Sequence, residues 1–187
     1  MDFNIPRNVI VIGQRNDISD GLIEIAINLA DDGKTVWYLA SKPVDKLPDI
    51  FLRQDRDTLK RIIFTYCKSL EALNQKLMNL DNTSNVNASL IIVEPLHTFF
   101  PDSVARNSDH FLQAHAKTLA ILQSCVCSLN GRPNGSCWSI ASLDDSVGYS
   151  GECVATLIDL FYYKKNCVRA ADTSIVRWFE DFRIKFC

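Results

Sequence analysis

The chain has 187 residues, the length of one domain, and its 20 Lys and Arg against 22 Asp and Glu leave a net charge of −2, so no bulk positive field draws it to nucleic acid or anionic lipid. Hydrophobic residues make up 47% and charged ones 22%, which excludes disordered, collagen-like and coiled-coil classes and predicts a single packed domain over residues 1–187. No window reaches the ~18 apolar residues of a membrane span and no basic segment precedes an apolar one at the N-terminus, while only 7 Gly and 6 Pro leave little material for a glycine-rich phosphate loop.

Asn8-Val-Ile-Val-Ile12 is a continuous β-branched run ending at Gly13, as expected of a strand buried on both faces of a parallel sheet. Over residues 21–30 the apolar positions wrap nearly the whole circumference of a core helix, which Ser19 or Asp20 can cap and Gly33 can stop. Thr35-Val-Trp-Tyr-Leu-Ala40 reads as a second buried strand, so the first forty residues form a β-α-β unit with parallel strands. Residues 41–57 carry two prolines and alternating charges and read as an irregular connection. It leads to a strand over 60–66.

Leu70, Leu73, Leu77 and Leu80 follow at helical spacing behind Ser69 as cap. A fully buried strand is expected over 89–93, a long helix over 109–129 and a further strand over 136–142. The apolar and aromatic segments 153–163 and 174–186 read as two strands joined through 164–173. The expected class is therefore α/β: a mostly parallel sheet with helices on both faces and a C-terminal antiparallel hairpin.

In an open parallel sheet, ligands bind beyond the carboxyl ends of the strands, which places a phosphate at the loop Gly13, Gln14, Arg15, Asn16, Asp17, Ile18, Ser19, Asp20. A Walker A loop requires G-x-x-x-x-G-K-[ST]: glycines let amides curl around the phosphates, the lysine reaches their oxygens, and the hydroxyl holds Mg²⁺. Gly13 fills the first position, but Ile18, Ser19 and Asp20 stand where Gly, Lys and Ser or Thr belong. Asp17 and Asp20 would repel a triphosphate. Gly33-Lys34-Thr35 lies after the helix and is its stop rather than a phosphate loop. Leu90-Ile-Ile-Val93 followed by Glu94 has the shape of a Walker B strand, whose terminal carboxylate orients Mg²⁺.

His97, His110 and His115 have no partners at metal spacing, and Cys125 and Cys127 lack a second pair, so no metal site is expected. The seven cysteines read as reduced, mostly buried thiols of an intracellular compartment. Basic groups occur at Arg53, Arg56, Lys60 and Arg61, and again at Lys164, Lys165 and Arg169. Each is either a solvated face or a nucleic-acid contact. Tyr149, in the loop after the fifth core strand, is of a type that stacks on a base. Phe99, Phe100 and Phe111, and Trp178, Phe179, Phe182 and Phe186 near the C-terminus, are either core or interface.

The order of strands, the vestigial loop at Gly13, the strand ending in Glu94 and the segments Val36-Trp-Tyr-Leu-Ala-Ser-Lys-Pro-Val44, Leu47-Pro48 and Lys60-Arg-Ile-Ile-Phe-Thr-Tyr66 together resemble the RecA-like recombinase paralogues, in particular the small ones that pair with a SWIM-domain zinc protein in the metazoan Shu complex. The resemblance runs from about Asn8 to Phe186. It implies a RecA-like P-loop NTPase core without an N-terminal helical domain. It also implies a partner role: binding the SWIM-domain protein and single-stranded or branched DNA, and helping a RecA-family recombinase form filaments in homologous recombination repair in the nucleus. The chain departs from the family's ATPases at the Walker A Gly-Lys-Thr, at Glu94 in place of Asp, and at Ser41-Lys42 where such enzymes carry a catalytic Glu past the second strand. Without those groups no catalytic residue and no resident cofactor is expected, ATP and Mg²⁺ binding only if the degenerate loop still works. An atypical ATP-binding NTPase and a DNA-free protein scaffold remain the alternatives.

Overall fold

The computed structural model describes residues 7–44, 47–80, 87–100, 108–133, 135–145, 151–162, 166–170 and 174–186. Strands β1 (Asn8–Gly13), β2 (Thr35–Ala40), β3 (Ile62–Tyr66), β4 (Ala88–Glu94), β5 (Trp138–Asp144) and β6 (Cys167–Arg169) form one six-stranded sheet in the order β3-β2-β4-β5-β1-β6. Every pairing is parallel. The helices are α1 (Arg15–Asp31), the one-turn α2 (Asp49–Leu52) and α3 (Arg56–Leu59), α4 (Leu70–Leu80), α5 (Ser108–Asn130), α6 (Gly151–Phe161) and α7 (Ile175–Phe186). They flank the sheet on both faces, an α/β architecture consistent with a RecA-like core.

Alternate residues of each strand feed the two faces, as the twofold period of a strand requires. Val9, Val11, Val36, Tyr38, Leu90, Ile92 and Ile140 pack under α1 and α7, together with Ile18, Leu22, Ile25, Ile175 and Phe179. Ile10, Ile12, Trp37, Leu39, Ile91, Val93 and Leu143 pack on the other side with residues of α4, α5 and α6. β1, β4 and β5 lie inside the sheet and are buried at almost every position, which is why β1 and β4 read in sequence as apolar runs, while β5 buries Ser139, Ser142 and Asp144 among its apolar residues. β3 lies at the edge, and its residues grade from buried Ile62 to exposed Tyr66.

The structure corrects the C-terminal hairpin. The segments expected as strands over 153–163 and 174–186 instead hold helices α6 and α7, and the only strand of this region among the described residues is the three-residue β6, paired in parallel with β1 through Ile10↔Cys167 and Ile12↔Arg169. The physical reason is the period. Val154, Leu157, Ile158 and Phe161 recur three and four residues apart and pack against the core, while Asp159 and Leu160 between them face solvent. Ile175 and Phe179 do the same one turn apart. A 3.6-residue apolar stripe buries more surface as a helix than β-branched and aromatic content gains as a strand.

α1 begins at Arg15, well before the expected start at residue 21, because Ile18 is 1% exposed and extends the buried row of Leu22, Ile25 and Leu29 by one turn. Its end is as expected. Gly33 adopts φ 77, and its N–H and that of Lys34 donate to the carbonyls of Ala30 and Leu29. Ser69 also caps α4, its hydroxyl accepting from the Ala72 N–H at 3.2 Å. The connection after β2 is less irregular than expected, since Asp55 accepts from the Asp57 and Thr58 amides at 2.8 and 3.0 Å and so starts α3.

Candidate functional site

The loop expected to cradle phosphate does not exist as a loop. β1 ends at Gly13, α1 starts at Arg15, and Gln14 alone lies between them, exposed, in extended conformation and making no side-chain cap. Asp17, Ile18, Ser19 and Asp20 are helical, and the Ile18 N–H is already donated to the Gln14 carbonyl at 3.1 Å. With Gln14 as the only residue between β1 and α1, there is no glycine-lined turn to curl around a triphosphate. Gly13 has its own packing reason: a Cβ there would stand 2.6 Å from the Cβ of Ala170, held at this distance by the Ala170 N–H donating to the Ile12 carbonyl at 2.9 Å.

Ser19 and Glu94 do meet. The Ser19 hydroxyl donates to Glu94 Oε1, joining the second turn of α1 to the end of β4 across 75 positions of sequence. Glu94 is 4% exposed and stands in register with Ala40 of β2. The two strand ends, α1 and the residues Pro43, Val44, Leu47, Pro48 and Asp49 border a cavity of about 620 Å³, within the usual range for a small-molecule site. Its walls carry Glu94, Asp20 and Asp49 as carboxylates, Lys42 as a cation, Ser19, Ser41 and Tyr38 as hydroxyls, and Pro43, Val44, Leu47 and Pro48 as apolar surface. Of the expected nucleotide residues, Ser19, Asp20 and Glu94 line this space and Gly13, Gln14 and Asp17 do not, while the side chains of Arg15 and Asn16 lie outside the described ones.

Tyr38, Ser41, Lys42 and Asp49 were not expected from sequence. Tyr38 reads as a core residue, and it is one, fully buried with its ring 5.1 Å from that of Phe64. Its hydroxyl nevertheless has no hydrogen-bond partner among the described residues. The signal that was available is positional: residues at the carboxyl ends of parallel strands line ligand sites, and Tyr38 shares a face with Ala40 at the end of β2. Where RecA-like ATPases carry a catalytic glutamate, Ser41 is instead tied to Thr98, its hydroxyl 2.6 Å from Thr98 Oγ1, which donates to the Pro95 carbonyl at 2.8 Å.

The expected nucleic-acid residues are not brought to this site. Arg169 is exposed at the end of β6, beyond β5 and β1 from β4, while Lys164, Lys165 and Tyr149 lie outside the described residues. Arg53, Arg56, Lys60 and Arg61 are exposed, with Lys60 paired to Asp57 at 2.8 Å and Arg61 donating to the Gly33 carbonyl at 3.3 Å. Of the aromatic candidates, Phe99, Phe100, Phe111 and Phe179 are core, all under one-tenth exposed, Trp178 is half-buried, and the side chains of Phe182 and Phe186 lie outside the described ones. Among the described residues the exposed large apolar ones are Ile50, Leu52, Tyr66, Met78 and Leu160.

No three His, Cys, Asp or Glu residues converge at metal distance among the described residues. Cys67, Cys125 and Cys137 are buried, and burial pushes all of the Cys67, Cys137 and Cys167 thiols toward the protonated form. Among the described residues no helix is long and apolar enough to cross a membrane. No protein-family model matches the chain, and no curated protein sequence matches it.

Proposed function

We propose that the chain is a non-catalytic RecA-like subunit of a Shu-type complex, which binds a SWIM-domain zinc protein and DNA and promotes the assembly of recombinase filaments during homologous recombination repair in the nucleus. The observation that carries the non-catalytic half of this reading is the junction at Gln14. A strand that passes into a helix through one residue has no loop to hold phosphate, and the lysine and the Mg²⁺ hydroxyl of the motif are missing besides. Phosphoryl transfer depends on such electrostatic positioning, so hydrolysis has no machinery to run on.

The partner half is supported by surface rather than by chemistry. β3 pairs only with β2 among the described residues, and exposed Tyr66 stands on it while Leu52, 71% exposed, stands on neighbouring α2. An unpaired strand edge beside exposed apolar side chains is a place where another chain adds. DNA contact by this subunit alone is weak on this reading, because the net charge of −2 leaves only local basic groups to neutralise phosphates.

The test is co-expression with a SWIM-domain protein from the same source, followed by size-exclusion chromatography and DNA binding by the purified complex. Co-elution together with salt-dependent binding of single-stranded DNA supports the reading. Co-elution without DNA binding would favour the DNA-free scaffold, and nucleotide-dependent thermal stabilisation would favour an atypical NTPase.

A further inference from the structure

We propose that the cavity beyond β2 and β4 is a receptor for a primary ammonium group carried on an aliphatic stem; this goes beyond the partner role above and stands whether or not that role holds. The charge of the walls gives the sign of the ligand. Three carboxylates, Asp20, Asp49 and Glu94, face the space against the single cation Lys42 among the described lining residues. Such a surface repels phosphate and attracts a cation. Glu94 is the deepest of the three, at 4% exposed, and its Oε1 accepts from Ser19 on the α1 side.

Tyr38 gives the independent observation that something binds. It lines the cavity, is 0% exposed, and its hydroxyl is without a hydrogen-bond partner among the described residues. Burying a hydroxyl unpaired is unfavourable, and an N–H donor entering from the cavity would satisfy its oxygen. Pro43, Val44, Leu47 and Pro48 then supply apolar wall for a methylene stem.

Two other ligands fit less well. A divalent cation requires convergent ligands, which the described residues do not provide. A nucleotide meets three carboxylates and no cradle. The ammonium chemistry has two sources, a free aliphatic diamine or the side chain of a lysine on another protein, and the two are separable by experiment.

The full chain is titrated calorimetrically at low salt with cadaverine and, separately, with Nα-acetyl-lysine methylamide, using pentanol as the uncharged control. Saturable binding of an amine, without binding of pentanol, is expected. Glu94→Gln retains an acceptor for Ser19 and is expected to weaken binding by about tenfold or more, as for a lost charge-assisted hydrogen bond. Tyr38→Phe is expected to weaken it by about three- to tenfold. Asp49→Asn, at an exposed position where folding is not at stake, is expected to weaken it as well. Tighter binding of the lysine derivative assigns the ligand to a protein side chain, and tighter binding of cadaverine assigns it to a free diamine. Absence of saturable binding by both amines, equal binding of pentanol, or unchanged affinity in all three variants overturns the proposal. None of these results bears on capture of a SWIM-domain partner, so the two readings fail separately.

Discussion

His115 ties the stability of this fold to pH in a way that can be calculated. It sits on α5 with no exposed surface, its ring stacked 3.9 Å from that of Phe100 and tilted against that of Phe111 at 3.6 Å. Its Nδ1 lies 2.9 Å from the Phe111 carbonyl, and because a carbonyl only accepts, Nδ1 carries the proton. A second proton would put a full charge among phenyl rings. Burial therefore pushes the pKa from 6.5 down to about 3, with the bond to Phe111 opposing and nearby His97 adding slightly to the shift. Since the folded-state value lies below the unfolded one, the unfolded chain takes up a proton that the folded chain refuses as pH falls below about 6.5. Stability from this residue is complete above that pH and is lost progressively toward about pH 3. At about pH 5 the loss is about 2 kcal/mol, from 1.36 kcal/mol for each unit below the unfolded value. The assay is urea unfolding at about pH 7.5 and about pH 5 on the natural chain and on His115→Leu. Groups that do not interact with residue 115 contribute equally to both chains and cancel. The natural chain is expected to lose about 2 kcal/mol more than the variant over this interval. Equal losses would refute the reasoning and show that His115 is protonated within the fold.

Four further outcomes are expected. Phosphate release in the presence of ATP and Mg²⁺ stays at the buffer level, and ATP gives no thermal stabilisation, whereas a ligand at 100 times its Kd would add about 2.7 kcal/mol; steady release abolished by Glu94→Gln would contradict this. Gly13→Ala forces a carbon to within 2.6 Å of Ala170 and is expected to destabilise by about 1–3 kcal/mol in chemical unfolding, where a neutral effect would show that the β1 and β6 ends separate easily. Leu52→Asp is expected to leave the melting temperature unchanged and to weaken co-elution with the SWIM-domain partner, while unimpaired assembly would place that interface elsewhere. Replacing Lys164, Lys165 and Arg169 together by Ala is expected to flatten the salt dependence of single-stranded DNA binding by the complex by about two units of log–log slope; an unchanged slope would direct attention to Arg53, Arg56, Lys60 and Arg61.

What could be read from sequence was whatever a local pattern decides. The continuous apolar runs of β1, β2 and β4 identify strands covered on both faces, because only a parallel sheet between helix layers hides both sides of a strand. The leucine spacing of α4, its cap at Ser69 and the stop of α1 at Gly33 are settled within one or two helical turns. The loss of the Walker A lysine needs no structure at all. Segments 153–163 and 174–186 were harder, since their β-branched and aromatic residues favour strands while their 3.6-residue spacing favours helices, and only a core to pack against makes the spacing win.

The site itself belongs to the tertiary structure. Nothing local to residues 13–20 says that α1 starts directly after Gln14; that follows from the place Ile18 finds in the core and from Ala170 closing over Gly13. Ser19 and Glu94 are distant in sequence and meet because β4 lies two places from β1 in the sheet, which brings its end beneath α1. Tyr38 has the same composition and pattern as any buried strand residue. It lines a cavity because β2 and β4 end side by side, with Pro43, Val44, Leu47 and Pro48 around the opening, a juxtaposition set by strand order and long-range packing rather than by any residue's own preference.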